Sequence, residues 1–109
     1  MTWMESVQLE LRRAREAERE GNSGRARTSA RRAVGFALEE FQKRTAGINY
    51  GRDFIAQLRS FAADPAVPQT AREAADRLQA KLTPDFLSRS VNPADDADII
   101  LAYILSRLQ

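Results

Sequence analysis

The chain contains no cysteine and no histidine. The first absence excludes disulfides, thiolate metal sites and cysteine nucleophiles. The second removes the side chain used most often as a general base and as a metal ligand. Valine and isoleucine are scarce, and no alternating β-branched run argues for a strand. No apolar stretch approaches the roughly 18–20 residues needed to cross a bilayer. Glu5 and Glu10 interrupt the opening MTWMESVQLELRR, which therefore does not read as a secretory signal. The expectation is a cytoplasmic protein without a membrane partner, and nothing in the composition implies a cofactor or a metal.

What is present is helix-forming. Five glycines and four prolines fall mainly in a few clusters, leaving long stretches of Ala, Arg, Glu, Leu and Gln, which have high helix propensity. An apolar share of 43% with 29% charged residues is globular rather than disordered. At 109 residues the length suits one domain over residues 1–109, because two would each be short of a self-sufficient core. Net charge is only +2, but it is unevenly spread. Residues 12–32 carry eight arginines against three glutamates, whereas residues 82–109 carry two bases against four acids. Fifteen of the seventeen bases are arginine, a bias that a GC-rich genome explains as readily as phosphate recognition does.

Apolar periodicity places the elements. Trp3, Val7, Leu11, Ala14 and Ala17 form one stripe of a first helix over about 2–20, closed by Gly21, with Asn22 or Ser23 as the next N-cap. A second helix over about 24–45 buries Ala26, Ala30, Ala33, Val34, Ala37, Leu38 and Phe41, with Gly47 as its terminator. The short connection makes the two an antiparallel hairpin. A third helix over about 51–63 turns Phe54, Leu58 and Phe61 inward. The DPAVP connector at 64–68 stops it, and a fourth helix from about Pro68 carries Ala71, Ala74, Ala75, Leu78 and Leu82. Residues 83–91 read as a loop or single turn. The last helix starts with Asn92 as N-cap and Pro93 in the first helical position, and Asp95, Asp96 and Asp98 face the positive end of its dipole. Its core stripe is Ala97, Ile100, Leu101, Ile104, Leu105 and Leu108. The fold class is all-α, a four- to five-helix up-and-down bundle.

The segment GRARTSARRAVGFALEEFQKRTAGINYGRDFIAQLRSF, the proline loop and helix after it, and the final PADDADIILAYILSRL together resemble the HEPN-like helical bundles. In that family an Ala- and Arg-rich helix precedes one with a central leucine, and the last helix opens with acidic residues. The resemblance implies an HEPN-like bundle that dimerises, pairs with a nucleotidyltransferase-type partner protein, binds nucleotides or cleaves RNA. The RNA-cleaving members depend on an arginine followed a few residues later by histidine. This chain has no histidine, so it resembles a member without the ribonuclease centre.

Several residues stand apart from the core pattern. Phe36 lies almost opposite the stripe of its helix, on the face shared by Arg25, Arg32 and Lys43, and Ile99 and Tyr103 form an i,i+4 pair away from Ile100 and Ile104. Either these residues pack on a second buried face, or they anchor a homodimer or partner contact. Glu10 falls within the apolar arc of its helix and needs a cation, for which Arg27 or Arg31 is placed; a structural ion pair or edge exposure outweighs a catalytic role. Arg25, Arg27, Arg31 and Arg32 are the candidate anion-binding residues, although the interspersed Glu16, Glu18 and Glu20 favour a salt-bridged solvated face. Asp95 and Asp98 could share a hard cation, but carboxylates at a helix start are more often dipole partners. No catalytic residue emerges. The sequence is thus expected to encode a non-catalytic, homodimeric interaction module. The alternative is an RNA- or nucleotide-binding protein that uses the Arg-rich hairpin.

Overall fold

A computed structural model describes residues 1–85 and 87–109. Five helices follow in order: α1 (Trp3–Arg19), α2 (Ser23–Arg44), α3 (Phe54–Ala63), α4 (Gln69–Gln79) and α5 (Pro93–Leu108). The architecture is all-α, with antiparallel helix contacts and no strand among the described residues. None of these helices is long and apolar enough to cross a membrane.

Local chemistry sets most of the boundaries. Thr2 caps α1 in a reciprocal capping box with Glu5. The backbone N–H of Thr2 donates to the Glu5 carboxylate and holds its pKa below the usual value, helped by the Thr2 hydroxyl. At the other end Gly21 adopts φ +76°; its N–H donates to the Glu18 carbonyl, and the Asn22 N–H donates to that of Ala17 at 2.8 Å. This Schellman closure satisfies carbonyls the helix would otherwise leave bare. Asn22 serves twice, because its side chain also accepts from the Arg25 N–H to cap α2. The turn is therefore short and fixed. It folds α1 back on α2 along a seam that includes the fully buried alanines Ala14, Ala26, Ala30, Ala33 and Ala37, whose small side chains let two helix backbones approach closely.

Helix α2 is the central element, touching every other helix. Val34, Leu38 and Phe41 from it join Leu58 and Phe61 of α3, Leu78 of α4 and Ile100 and Ile104 of α5 in one continuous core. Four aromatic rings close this core in a cycle. Phe41 meets Tyr50 at 6.4 Å, Tyr50 meets Phe61 at 5.8 Å, Phe61 meets Tyr103 at 5.9 Å and Tyr103 returns to Phe41 at 6.3 Å. Such tilted and edge-on contacts are the favoured geometry for aromatic pairs. Tyr50 enters this cycle from the α2–α3 loop. Its N–H donates to Gln42 at 2.6 Å and its hydroxyl donates to Asp64 at 2.6 Å. Burial, then the Asp64 hydrogen bond and charge, push its phenol pKa well above the ordinary value.

Several expectations need correction. Helix α2 ends at Arg44 with Thr45 extended; Gly47 sits in the following turn at φ +84°. Helix α3 starts at Phe54, because the Asp53 side chain accepts from the Ala56 N–H and fixes the N-terminus there. Helix α4 stops at Gln79, so Leu82 belongs to the following segment and is 41% exposed. Asn92 occupies the N-cap position of α5 but makes no side-chain cap bond. In the 83–91 segment Thr83 and Leu87 close a turn through a Thr83 N–H to Leu87 carbonyl bond of 2.9 Å. Phe86 lies outside the described residues.

Candidate anion-binding groove

The isolated charged residues of the sequence acquire definite partners. Glu10 is buried and accepts from Arg13 at 2.7 Å, one turn away on its own helix, rather than from Arg27 or Arg31. The shorter reach within one helix wins, and Arg31 is engaged elsewhere. Asp95 and Asp98 both accept from the Arg15 guanidinium, which ties the start of α5 to α1. The third aspartate, Asp96, is buried; it accepts from Arg77 at 2.7 Å and from the Ser90 hydroxyl at 2.6 Å. These three carboxylates thus fasten α5 to α1, to α4 and to the 83–91 segment.

Phe36 is half-buried and packs edge-on against Phe54 of α3 at 5.8 Å. Tyr103 is half-buried within the aromatic cycle, and Ile99 also packs against the core. All three side chains therefore have partners within their own chain and stay partly exposed.

The four candidate arginines separate. Arg25 pairs with Glu20 at 3.6 Å across the first turn, and Arg32 is exposed on a different side of α2. Arg27 and Arg31 instead line an open groove of about 680 Å3 formed by α2, α3 and the exit of α4, where Arg59 and Lys81 join them. Four cations and no carboxylate line this groove. None of the four makes an ion pair among the described residues, whereas Arg13, Arg15, Arg25, Arg44 and Arg77 all do.

Two of the three guanidinium groups are held in place. The Arg31 Nε donates to the Leu78 carbonyl at 2.6 Å, and its Nη2 donates to the Ala80 carbonyl at 3.2 Å. Arg31 therefore caps the C-terminus of α4 from outside, where a cation also complements the helix dipole. Arg59 Nε donates to the Gln79 side chain at 3.2 Å, and Gln79 is itself anchored by donating to the backbone and carboxylate of Asp76. Burial pulls the Arg31 pKa below its usual value, and the like charge of Arg27 adds to the effect. An anion in the groove would offset that repulsion. The remaining wall is apolar, contributed by Ile55, Leu82 and Pro84.

Sequence reasoning missed Arg59 and Lys81, which reach the groove only through the packing of α3 and α4 on α2. One signal was available. Arg27, Arg31 and Arg59 have no carboxylate three or four residues away in either direction, so no intrahelical pair neutralises them. Arg25 and Arg32 share this property, and only the fold separates the two groups. A second groove, of about 380 Å3, runs between α1 and α5 and is lined mainly by apolar side chains, among them Trp3, Met4, Leu11, Leu101 and Leu105.

No family model, no curated protein and no solved structure matches this chain.

Proposed function

We propose that this protein is a non-catalytic helical-bundle binding module whose ligand is an anion held in the α2–α3–α4 groove. The observation that carries this reading is the gathering of Arg27, Arg31, Arg59 and Lys81 on one concave surface without a carboxylate. Unpaired cations in a concavity with low-dielectric walls focus a positive potential and raise the local anion concentration. The groove lining includes Lys81 and Thr83 but no carboxylate, histidine or cysteine to pair with them, which supports a reading of binding rather than acid–base or nucleophilic chemistry. Only part of the Arg-rich hairpin contributes, which narrows the RNA- or nucleotide-binding alternative to this groove.

The test is a two-dimensional amide NMR titration with inorganic pyrophosphate at low ionic strength, where phosphate contacts are strongest. Amides around residues 27–31, 55–59 and 79–84 are expected to shift in the parent and to stay still in an Arg27→Gln/Arg59→Gln variant. An unresponsive parent protein would remove the proposal.

A second reading, self-association of an HEPN-like module, is favoured by the apolar groove between α1 and α5. Phe36, Ile99 and Tyr103 pack on their own core but are only partly buried, and this groove is a further apolar surface for a second copy. Light scattering over a dilution series tests it. A monomer at every concentration would remove the homodimer, and a dimer unchanged by Leu105→Glu would place the contact elsewhere.

A further inference from the structure

We infer that the groove takes a small phosphate monoester carrying an apolar or planar body, in preference to a nucleic-acid strand. This rests on the anion-binding reading and adds the ligand class to it.

The anionic end follows from the donors that remain. Arg31 spends Nε and Nη2 on the α4 carbonyls and keeps Nη1, while Arg59 spends only Nε on Gln79 and keeps both terminal nitrogens. These forks come from different helices and are already oriented by protein acceptors, so little side-chain freedom is lost when they bind. A terminal phosphate, with its three oxygens and close to two negative charges, can engage both forks at once, with Arg27 and Lys81 adding charge. A phosphodiester offers fewer free oxygens and a single charge at each phosphorus.

The body of the ligand follows from the other wall. Ile55, Leu82 and Pro84 lie beside the cations, and Leu82 is a large apolar side chain left 41% exposed at the α4 exit. Small-ligand sites commonly combine an apolar lining with a few convergent polar groups. Bare phosphate would leave this wall in water.

The confinement of the charge disfavours a strand. A polynucleotide track needs cations continued along a path. Outside the groove, Arg13, Arg15 and Arg25 of the basic hairpin are neutralised by Glu10, Asp95 with Asp98, and Glu20, while the exposed Arg12, Arg19 and Arg32 make no ion pair among the described residues but do not line the groove.

The experiment compares four probes by NMR titration on the full chain: inorganic phosphate, phenyl phosphate, phenol, and an oligouridylate of about ten nucleotides. Phenyl phosphate is expected to bind about tenfold more tightly than phosphate, with phenol silent. Leu82→Ser should lower phenyl phosphate affinity about three- to tenfold and leave phosphate unchanged. Arg59→Gln should weaken both, with an unchanged circular dichroism spectrum showing that the fold survives. Equal affinity for phosphate and phenyl phosphate would overturn the ligand class while keeping the anion site. Tighter oligouridylate binding, with a salt dependence reporting several phosphates, would assign the groove to a strand instead. Failure of every probe to shift groove amides would remove the anion reading itself.

Discussion

Gly35 lies in the middle of α2, buried, in a helix where alanine would ordinarily be preferred. The reason is on α3. A Cβ built on Gly35 would stand 2.2 Å from Cδ1 of Phe54, 2.4 Å from Cε1 and 2.5 Å from Cγ, against about 3.5–4.0 Å for carbon atoms in comfortable contact. Because Cγ is among the clashing atoms, spinning the ring about its own axis gives no relief. The whole ring must leave, or α3 must withdraw. Phe36 lies against that ring, edge-on at 5.8 Å, and loses its partner in either case. Forced repacking of this kind costs about 1–3 kcal/mol, and the loss of the aromatic pair adds roughly 0.5–1.5 kcal/mol. Replacing a mid-helix glycine by alanine returns about 1 kcal/mol.

The clash wins. Gly35→Ala is expected to destabilise the protein by about 0.5–3.5 kcal/mol, lowering Tm by roughly 2–15 °C for a domain of this size. Thermal and urea unfolding followed by far-ultraviolet circular dichroism measure it. The control is a double-mutant cycle. With Phe54→Ala already present, the ring is gone and only the propensity gain remains, so Gly35→Ala should now stabilise by about 1 kcal/mol. A stabilised Gly35→Ala single variant, or an equal effect in both backgrounds, would refute the close approach of α3 to α2 on which the groove wall depends.

Three further outcomes follow from the polar contacts. Asp96→Ala removes the buried acceptor shared by Arg77 and Ser90 and is expected to cost about 1–3 kcal/mol by urea unfolding, the lower part of the range because the Arg77 side chain is 39% exposed. The raised Tyr50 pKa makes the protonated phenol the folded-state form. Its contribution is intact below the unfolded value of about 10 and is lost as pH rises past it. The urea midpoint should therefore fall between about pH 9.5 and pH 11 in the parent and fall less steeply in Tyr50→Phe. Arg31→Gln should cost about 1–2 kcal/mol because two carbonyls at the end of α4 lose their donor, whereas Arg59→Gln should leave the unfolding free energy from urea titration within about 0.5 kcal/mol of the parent.

Where a residue's role is decided by its neighbours within a turn or two, the sequence was legible. The α1–α2 hairpin needs only Gly21 and Asn22 to end one helix and start the next, and the structure uses both as expected. The buried stripes of α2 and of most of α5 follow from helical period alone. Roles set by distant packing could not be read. Tyr50 and Val67 are buried yet sit in connections without periodicity. Gly47 looked like a terminator because glycine so often is one, but the chain had already turned extended at Thr45. Glu10 was correctly placed in the apolar arc, but its partner could be chosen only once Arg31 was seen to reach α4. The groove was half visible: Arg27 and Arg31 came from the hairpin pattern, while Arg59 and Lys81 needed the three-dimensional arrangement of α3 and α4.

Arg31 joins the fold to the proposed function. Helix α1 ends on its own glycine, but α4 has none at its C-terminus, where Ala80 turns extended. Its last carbonyls take their donor from α2 instead. That long-range cap fixes where α4 stops, and hence where Lys81 and Leu82 emerge to form the cationic and apolar walls of the groove. The same contact spends some of the Arg31 hydrogen-bonding capacity on the carbonyl end of a helix, whose dipole repels an anion. Arg31 therefore brings only its remaining Nη1 to the anion while setting the geometry of the groove, and Arg59, with both terminal nitrogens free, contributes more, Arg27 and Lys81 adding charge. A structural cap and a binding determinant can thus occupy one residue and still be separated by measurement, since one acts on unfolding and the other on titration.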